Sequence, residues 1–261
     1  MDMSRHDLSD FEWSVTELLL PNKSRGVPRV DDRRVLNGIF WRFRTGSLWV
    51  DIPERYGPHT TCYNRFVRWR EAGIWDRLLA AMAEAIDGEI MMIDSSSVRV
   101  HQQGAGAKKK NAKTADCGAM GRSKGGLTTK IHAVVDAEGR PIKLGLTAGQ
   151  TNDCKPALDL LAVLEKGAVL LADKAYDTEA IRAFAAEKKA WANIPPRKNR
   201  KGRFIFNKWL YKQRSLVERF FNKFKDYRGI ATRYDRDPNN FLAAIKIIAL
   251  RIIIKVNESA A

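Results

Sequence analysis

Two aspartates follow short apolar segments that have the length and composition of buried β-strands. Asp94 ends the run Ile-Met-Met-Ile in residues 89–94, and Asp173 follows the run Val-Leu-Leu-Ala in residues 168–172. An unpaired carboxylate is costly to bury, so each acid needs a partner or solvent. If the two strands are adjacent with aligned ends, both carboxylates lie at one edge of the sheet, and their repulsion favours a divalent cation such as Mg²⁺ or Mn²⁺. A strand-end acid in solvent or a helix cap is the open alternative.

A third carboxylate lies in a segment with helical periodicity. At 100° per residue, Tyr211, Arg214, Glu218 and Lys225 fall within a stripe about 60° wide on one helical face. The adjoining arc is apolar and should bury against the sheet, so Glu218 lies at the margin of a buried face and can point towards a metal site. Arg214 and Lys225 can hold phosphates, and Tyr211 can stack or donate a hydrogen bond. An ordinary amphipathic helix with an exposed Arg214–Glu218 pair explains the same pattern.

The elements before the first aspartate are predicted to be helices. Ser9 and Glu12 fit a capping box for a first helix, and three further helices are expected at residues 31–44, 60–73 and around Leu78. This arrangement is similar to a helix-turn-helix, but three-helix packing without DNA contact is equally compatible. We therefore predict a small all-α domain at residues 1–88 that binds DNA ends.

The pattern changes to strands after residue 88. Strands are expected at residues 89–94, 129–135, 141–147 and 168–172, with helices at 153–165 and 178–189. Residues 104–126 are rich in Gly, Ala and Lys, which is typical of a mobile surface loop. The order β, β, β, α, β, α predicts an α/β domain at residues 89–261, closed by a buried terminal helix at 239–256.

Charge is concentrated at the end of the chain. The 261 residues carry a net charge of +16, and residues 182–261 alone carry +14, from 20 Lys plus Arg and 6 Asp plus Glu. Such asymmetry indicates a polyanionic partner, most simply nucleic acid.

The hydrophobic fraction of 44% excludes global disorder. Three cysteines without a C-x-x-C pair argue against a zinc ribbon and a disulfide framework. No secretory signal or membrane span is recognisable, so we expect a cytoplasmic protein.

The residues on the helical stripe form a recognisable signature. The spacing Tyr-x2-Arg-x3-Glu-x6-Lys resembles the YREK signature of bacterial insertion-sequence transposases with a DDE active site. Other segments are similar to one branch of these enzymes, the insertion sequence 5 family, and they occur in family order at residues 28–38, 56–70, 121–132, 173–177 and 230–235. The resemblance covers almost the whole chain.

This resemblance implies a ribonuclease-H-like catalytic core, a mixed sheet flanked by helices, with acids on the first strand, just after the fourth strand and on a later helix. Asp94, Asp173 and Glu218 occupy those positions. It implies that the three carboxylates bind two divalent ions, usually Mg²⁺ with Mn²⁺ as a substitute. The implied reaction is DNA cleavage at transposon ends followed by strand transfer into target DNA. The implied partners are the terminal inverted repeats, target DNA and a second copy of the chain on paired ends, in the bacterial nucleoid.

Several residues besides Asp94, Asp173 and Glu218 are candidates for the site or for contact with DNA. Asp177 is the rival of Asp173 as second metal ligand, whereas His101 and His132 are better explained as paired or surface histidines. The basic stretch 197–208 is expected to contact DNA as a strand or loop, and its candidate residues are Arg197, Lys198, Arg200 and Lys201. The alternative functions are a non-catalytic DNA-binding protein, such as a domesticated transposase or repressor, and a nuclease without joining activity.

Overall fold

The computed structural model describes residues 6–21, 31–83, 88–105, 119–202 and 204–260. Eleven α-helices and seven strands are present in these ranges. The helices are α1 (Asp10–Glu17), α2 (Asp32–Thr45), α3 (His59–Glu71), α4 (Ile74–Ala83), α5 (Gln102–Ala105), α6 (Ala157–Leu160), α7 (Glu179–Glu187), α8 (Lys208–Tyr211), α9 (Ser215–Lys225), α10 (Arg228–Ala231) and α11 (Pro238–Ala260). The strands are β1 (Ile90–Val100), β2 (Gly121–Ser123), β3 (Gly126–Val135), β4 (Pro141–Ala148), β5 (Val169–Ala172), β6 (Trp191–Asn193) and β7 (Thr232–Arg233).

Capping interactions mark the ends of the N-terminal helices. The Ser9 hydroxyl accepts a hydrogen bond from the Glu12 N–H, and the Glu12 carboxylate accepts one from the Ser9 N–H, so the predicted capping box of α1 is confirmed. Asp31 caps α2 through the N–H groups of Arg33 and Arg34. The same helix ends at Gly46, whose φ of +75° is a conformation that glycine adopts without strain.

The seven strands form one mixed sheet with β1 at its centre. β3 pairs with β1 in antiparallel orientation, and β4 pairs with β3 in the same way. On the other side β5 runs parallel to β1, and β6 runs parallel to β5. An order of β4-β3-β1-β5-β6 with these directions, and helices on both faces, is the ribonuclease-H-like arrangement that was predicted.

Two predicted elements differ from the structure. β1 continues to Val100 because β3 pairs with it as far as Arg99, well beyond the apolar run that predicted it. The helix expected at 153–165 is reduced to α6 and a 3-10 turn. Before α6, the Asn152 side chain accepts a hydrogen bond from the Cys154 N–H, which makes a turn in place of a first helical turn. Most of the expected loop at 104–126, with Cys117, lies outside the described residues.

Hydrophobic cores lie on both faces of the sheet. α9, α11 and the N-terminal helices cover one face, where Met92, Phe220 and Ile248 belong to a continuous apolar cluster. α6 and α7 cover the other face, where Ile93, Leu170 and Ile181 are buried together. α4 and α1 pack directly against α11. The N-terminal helices and the sheet therefore share a core, and the predicted boundary at residue 88 remains a prediction. Within the described ranges, no helix is long and apolar enough to cross a membrane.

Candidate active site

The pairing of β1 with β5 places the first two predicted carboxylates side by side. Ile93 is the register partner of Ala172, so Asp94 and Asp173 are the next residues on two parallel neighbouring strands. An Asp94 oxygen accepts a hydrogen bond from the Ser95 N–H at 2.8 Å. An Asp173 oxygen accepts one from the Ala175 N–H and thereby caps the 3-10 turn that follows β5. Both carboxylates are thus held by the backbone at one edge of the sheet.

The third carboxylate reaches this edge from α9. The predicted continuous helix over 211–225 is interrupted, because α8 passes through a 3-10 turn at Lys212–Arg214 before α9 begins. The buried side of α9 carries Val217, Phe220, Phe221 and Phe224, as its periodicity predicts. Glu218 lies in the first turn of α9 and is exposed, on the margin of that buried side.

Arg214 joins two of the three carboxylates. Its Nη1 donates to Asp94 Oδ2 at 2.7 Å, and its Nη2 donates to Glu218 Oε1. The second contact is the i, i+4 pair expected of an ordinary amphipathic helix, but the first links residues that lie 120 positions apart. The guanidinium group therefore lies between the first and third acids as a cation shared by both.

The electrostatics of the site favour a cation. Burial raises the pKa of Asp94, the Ser95 N–H and Arg214 act to lower it, and the nearby Asp173 charge acts to raise it, with a net upward shift. Burial acts to lower the pKa of Arg214, but the carboxylates of Asp94, Glu218 and Asp173 and the Tyr211 side chain outweigh it, so that pKa is raised. The same carboxylates thus repel each other and stabilise the positive charge between them.

The donor set fits a hard divalent cation, although the side chains are arranged around arginine. Three carboxylates supply the oxygen ligands that Mg²⁺ and Mn²⁺ prefer. In the described part of the chain, no three His, Cys, Asp or Glu side chains are gathered closely enough to hold a metal ion as they stand. Arg214 occupies the space between Asp94 and Glu218, and its guanidinium shows where positive charge is stabilised. A metal bound at these carboxylates would share or replace this guanidinium contact.

Asp177, the rival second ligand, is part of a buried ion-pair cluster. It is 1% exposed and accepts hydrogen bonds from Arg182 Nε, Arg200 Nε and the Arg197 N–H. Burial acts to raise the pKa of Asp177, but these three donors outweigh it and hold the pKa below its ordinary value. The bonds from Arg197 and Arg200 tie the loop after Asp173 to residues 197–200, and the bond from Arg182 ties it to α7. These contacts favour a structural role for Asp177.

The two histidines are engaged with the protein. His132 is buried on β3, its Nε2 lies 2.8 Å from the Thr147 hydroxyl, and burial lowers its pKa to about 4. The His101 ring stacks on Tyr234 with centroids 4.8 Å apart, and its Nδ1 accepts a hydrogen bond from the Gln103 N–H. Both observations agree with the expectation of paired histidines.

The predicted DNA-contacting residues fall into two groups. Arg197 donates to the carbonyl groups of Lys174 and Ala175, and Arg200 is paired with Asp177 and Glu179. Arg214 is paired with Asp94 and Glu218, so all three guanidinium groups bind the protein itself. The other predicted contacts are exposed or half-buried at the surface; they are Lys198, Lys201, Tyr211 and Lys225. Around residue 200, regular structure is absent from 194–202 and 204–207.

A polar cluster behind the site was not predicted from the sequence. Ser95 Oγ donates to Asp153 Oδ1 at 2.7 Å, and Lys130 Nζ donates to the same oxygen at 3.0 Å. Asp153 lies in the loop between β4 and α6. A lone acid in a polar loop gives no sequence signal of such a contact, whereas three consecutive serines in a central strand, beginning at Ser95, were a signal that could have been used.

The chain matches known protein families over most of its length. Residues 8–79 match the family described as "Putative transposase of IS4/5 family", and residues 86–253 match the family described as "Transposase DDE domain". The chain is 38% identical over 130 residues to the "Putative transposase for insertion sequence element IS6501" of Brucella ovis, covering 49% of this chain and 100% of that protein. It is 35% identical over 103 residues to the "Transposase for insertion sequence element IS1106" of Neisseria meningitidis serogroup B, covering 36% of this chain and 35% of that protein.

Solved structures give a much weaker match. The "Crystal structure of a pre-cleavage Mos1 transpososome" is matched over 90% of this chain and 82% of that chain, with 12% identity and a TM-score of 0.28. A TM-score this low carries no argument about the fold. The family matches, by contrast, cover the N-terminal helices and the whole sheet.

Proposed function

This chain belongs to the DDE transposases, and we propose that Asp94, Asp173 and Glu218 are the carboxylates that bind its divalent cations. The proposed cations are two Mg²⁺ ions, with Mn²⁺ as a substitute. The proposed reaction is DNA cleavage at the ends of a mobile element, followed by joining of the free 3′ hydroxyl to target DNA. Cleavage and joining are then one displacement at phosphorus with two different nucleophiles.

The observation that carries this proposal is the convergence of three distant acids. β1, the end of β5 and the first turn of α9 contribute one carboxylate each, and Arg214 links the first to the third. A protein that only binds DNA has no use for acids beside the phosphates, because like charges repel. Their placement at one edge of the sheet in a chain of net charge +16 therefore favours catalysis.

The chain's own residues orient the carboxylates and supply positive charge beside them. Cations bound at such carboxylates activate an oxygen nucleophile and stabilise the leaving oxygen at phosphorus. The Ser95 and Ala175 N–H groups orient Asp94 and Asp173. Arg214 has donors that, once released from a carboxylate, suit a phosphate oxygen in the same place. Lys225 lies on the last turn of α9 and is exposed, so it can contact a neighbouring phosphate of the same strand.

The proposed partners are double-stranded DNA and a second copy of the chain. Terminal inverted repeats and target DNA are the proposed substrates, and the basic residues of the last third are the proposed contacts with their phosphates. A homodimer or larger assembly on paired ends is proposed because two ends must be joined together. The proposed setting is the bacterial cytoplasm, where the nucleoid lies.

The test replaces each acid by its amide in the full-length protein. Asp94→Asn, Asp173→Asn and Glu218→Gln keep the size of each side chain and remove its charge. Loss of a metal ligand is expected to lower both end cleavage and strand transfer by about a thousandfold, which corresponds to about 4 kcal/mol. The control is Asp159→Asn, an exposed acid on α6.

DNA binding is measured by gel shift at equal protein concentration, and Mn²⁺ binding is measured separately. A variant that cleaves and joins at the wild-type rate would remove that acid from the proposed triad. Wild-type protein that binds ends, yields nicks and never joins a 3′ hydroxyl to target DNA would support a nuclease instead.

A further inference from the structure

The contact between Asp153 and Ser95 lies directly behind the proposed metal site. Neighbouring residues of a strand point to opposite faces of a sheet, so the Ser95 side chain leaves β1 on the face away from Asp94. There its Oγ donates to Asp153 Oδ1 at 2.7 Å. Lys130 Nζ donates to the same carboxylate oxygen at 3.0 Å and to the Thr151 carbonyl at 2.7 Å, so the Asp153 charge is balanced.

This contact occurs where β1 loses one of its two neighbours. The ladder between β1 and β5 ends at the pair Ile93–Ala172, because β5 turns away after Asp173. From Asp94 onwards β3 continues to pair with β1, and β7 joins only at Arg99. In the described part of the chain, residues 94–98 therefore have a strand on one side only. The Asp153–Ser95 hydrogen bond restrains β1 at the second residue of this one-sided stretch.

The restraint is transmitted to the proposed metal ligand by one further bond. The Ser95 N–H donates to Asp94 Oδ1, while Arg214 donates to Asp94 Oδ2. Each carboxylate oxygen can accept two hydrogen bonds or ligands, so both retain capacity for a metal. The position of the Ser95 peptide decides which way the carboxylate faces.

A second contact of the same loop supports this interpretation. Cys154, next to Asp153, donates from its Sγ to the Ala175 carbonyl at 2.9 Å. The Ala175 N–H in turn donates to Asp173. One short loop thus contacts both of the backbone segments that orient the two aspartates.

We propose that Asp153 is a positioning residue of the transposase, which orients the metal-binding Asp94 by fixing Ser95 at the open end of the β1–β5 ladder. The proposal rests on the proposed role of Asp94 as a metal ligand. Residues that orient metal ligands typically contribute 10- to 100-fold to metal affinity, by rough estimate. Asp153 itself does not contact the metal or DNA.

The test measures Mn²⁺ binding to the full-length protein on a duplex end, by the electron paramagnetic resonance signal of free Mn²⁺. This measurement of Mn²⁺ binding does not require catalytic turnover. The variants are Asp153→Ala, Ser95→Ala, the double variant and Asp153→Asn, with Asp159→Asn as the matched exposed acid. Asp153→Ala and Ser95→Ala are each expected to raise the Mn²⁺ dissociation constant about tenfold. The double variant should be no weaker than either single variant, because both remove the same bond. Asp153→Asn keeps an acceptor oxygen and should restore most of the affinity.

The possible outcomes distinguish failure of this inference from failure of the proposed function. Wild-type Mn²⁺ affinity in both alanine variants, or effects that multiply in the double variant, would show that Asp153 does not act through Ser95. Melting temperatures identify unfolded variants, and Ser95→Ala still tests the proposal if Asp153→Ala does not fold, because it leaves the Lys130–Asp153 pair intact. Wild-type protein that neither binds Mn²⁺ nor cuts ends would refute the proposed function itself and the inference with it.

Discussion

Replacing Asp177 by asparagine tests whether this acid is structural or a metal ligand. Its carboxylate accepts from Arg182 Nε at 2.7 Å, from Arg200 Nε at 2.7 Å and from the Arg197 N–H at 2.8 Å. The exposed fraction of the Arg182 side chain is 8%, and that of Arg200 is 12%. The substitution leaves two largely buried guanidinium groups facing an uncharged amide.

The expected loss of stability follows from these contacts. Breaking a buried ion pair from one side costs roughly 3–5 kcal/mol. Asparagine keeps one acceptor oxygen, and Arg182 keeps the Ala192 and Ile194 carbonyl groups as partners, so the lower end applies, about 3 kcal/mol. For a chain of this size, such a loss lowers Tm by about 6–12 °C.

The pH dependence has a definite direction. Because the pKa of Asp177 is lowered in the folded state, its contribution to stability is complete above the unfolded pKa of about 3.9. The contribution is lost as pH falls from there through the folded pKa. The difference between wild type and Asp177→Asn should therefore be constant from about pH 5 to 8 and shrink below about pH 4.

Urea unfolding and thermal melting measure the effect, and Glu179→Gln is the matched control. Glu179 also pairs with Arg200, but its side chain is 85% exposed, so its loss should cost less than about 1 kcal/mol. A variant Asp177→Asn as stable as Glu179→Gln would refute the argument from burial. A folded Asp177→Asn protein without Mn²⁺ binding would make Asp177 the second metal ligand in place of Asp173.

Two further substitutions test the packing of the N-terminal helices against the rest of the fold. Arg251 on α11 is buried and donates to Glu12 on α1, so Arg251→Ala should cost about 3–5 kcal/mol in urea unfolding, and an unchanged midpoint would contradict a stabilising role. Gly46 has a φ of +75°, and a Cβ there would lie 3.0 Å from Arg228 Cβ. Gly46→Ala should cost more than about 1–2 kcal/mol, whereas Gly167→Ala, with φ +85° and open space, should show the backbone strain alone. Equal losses at the two glycines would exclude crowding as a cause.

Local patterns predicted the parts of the site that depend on nearby residues. The runs before Asp94 and Asp173 predicted two strands, and the β1–β5 ladder places the two acids together. Only Asp173 follows a strand end, because β1 continues past Asp94 to Val100. The apolar arc of residues 217–224 predicted the buried side of α9. Each of these features repeats over a few residues, because strand and helix periods are local properties of the chain. The function followed from the resemblance of the Tyr211–Lys225 spacing, and of segments elsewhere in the chain, to a transposase family.

Tertiary contacts accounted for what the sequence did not predict. Arg214 reaches Asp94 across 120 positions, and Asp153 reaches Ser95 across 58. Neither contact follows from periodicity, because each depends on which strands are neighbours and where their ladders end. The break of the helix at residues 212–214 is of the same kind, since nothing in the local spacing marks it.

The arrangement around Arg214 explains how three acids can be assembled in the folded chain before any metal arrives. Asp94 and Asp173 stand side by side, and Glu218 approaches the same edge, so without a cation the fold would concentrate like charges in a partly buried place. A guanidinium between Asp94 and Glu218 offsets that repulsion and satisfies one oxygen of each. The four-residue spacing of Arg214 and Glu218 makes this possible, because it puts both side chains on one side of α9. If a metal displaces this guanidinium as proposed, Arg214 would be free to contact a phosphate at the site, so the same residue would serve folding without substrate and recognition with it.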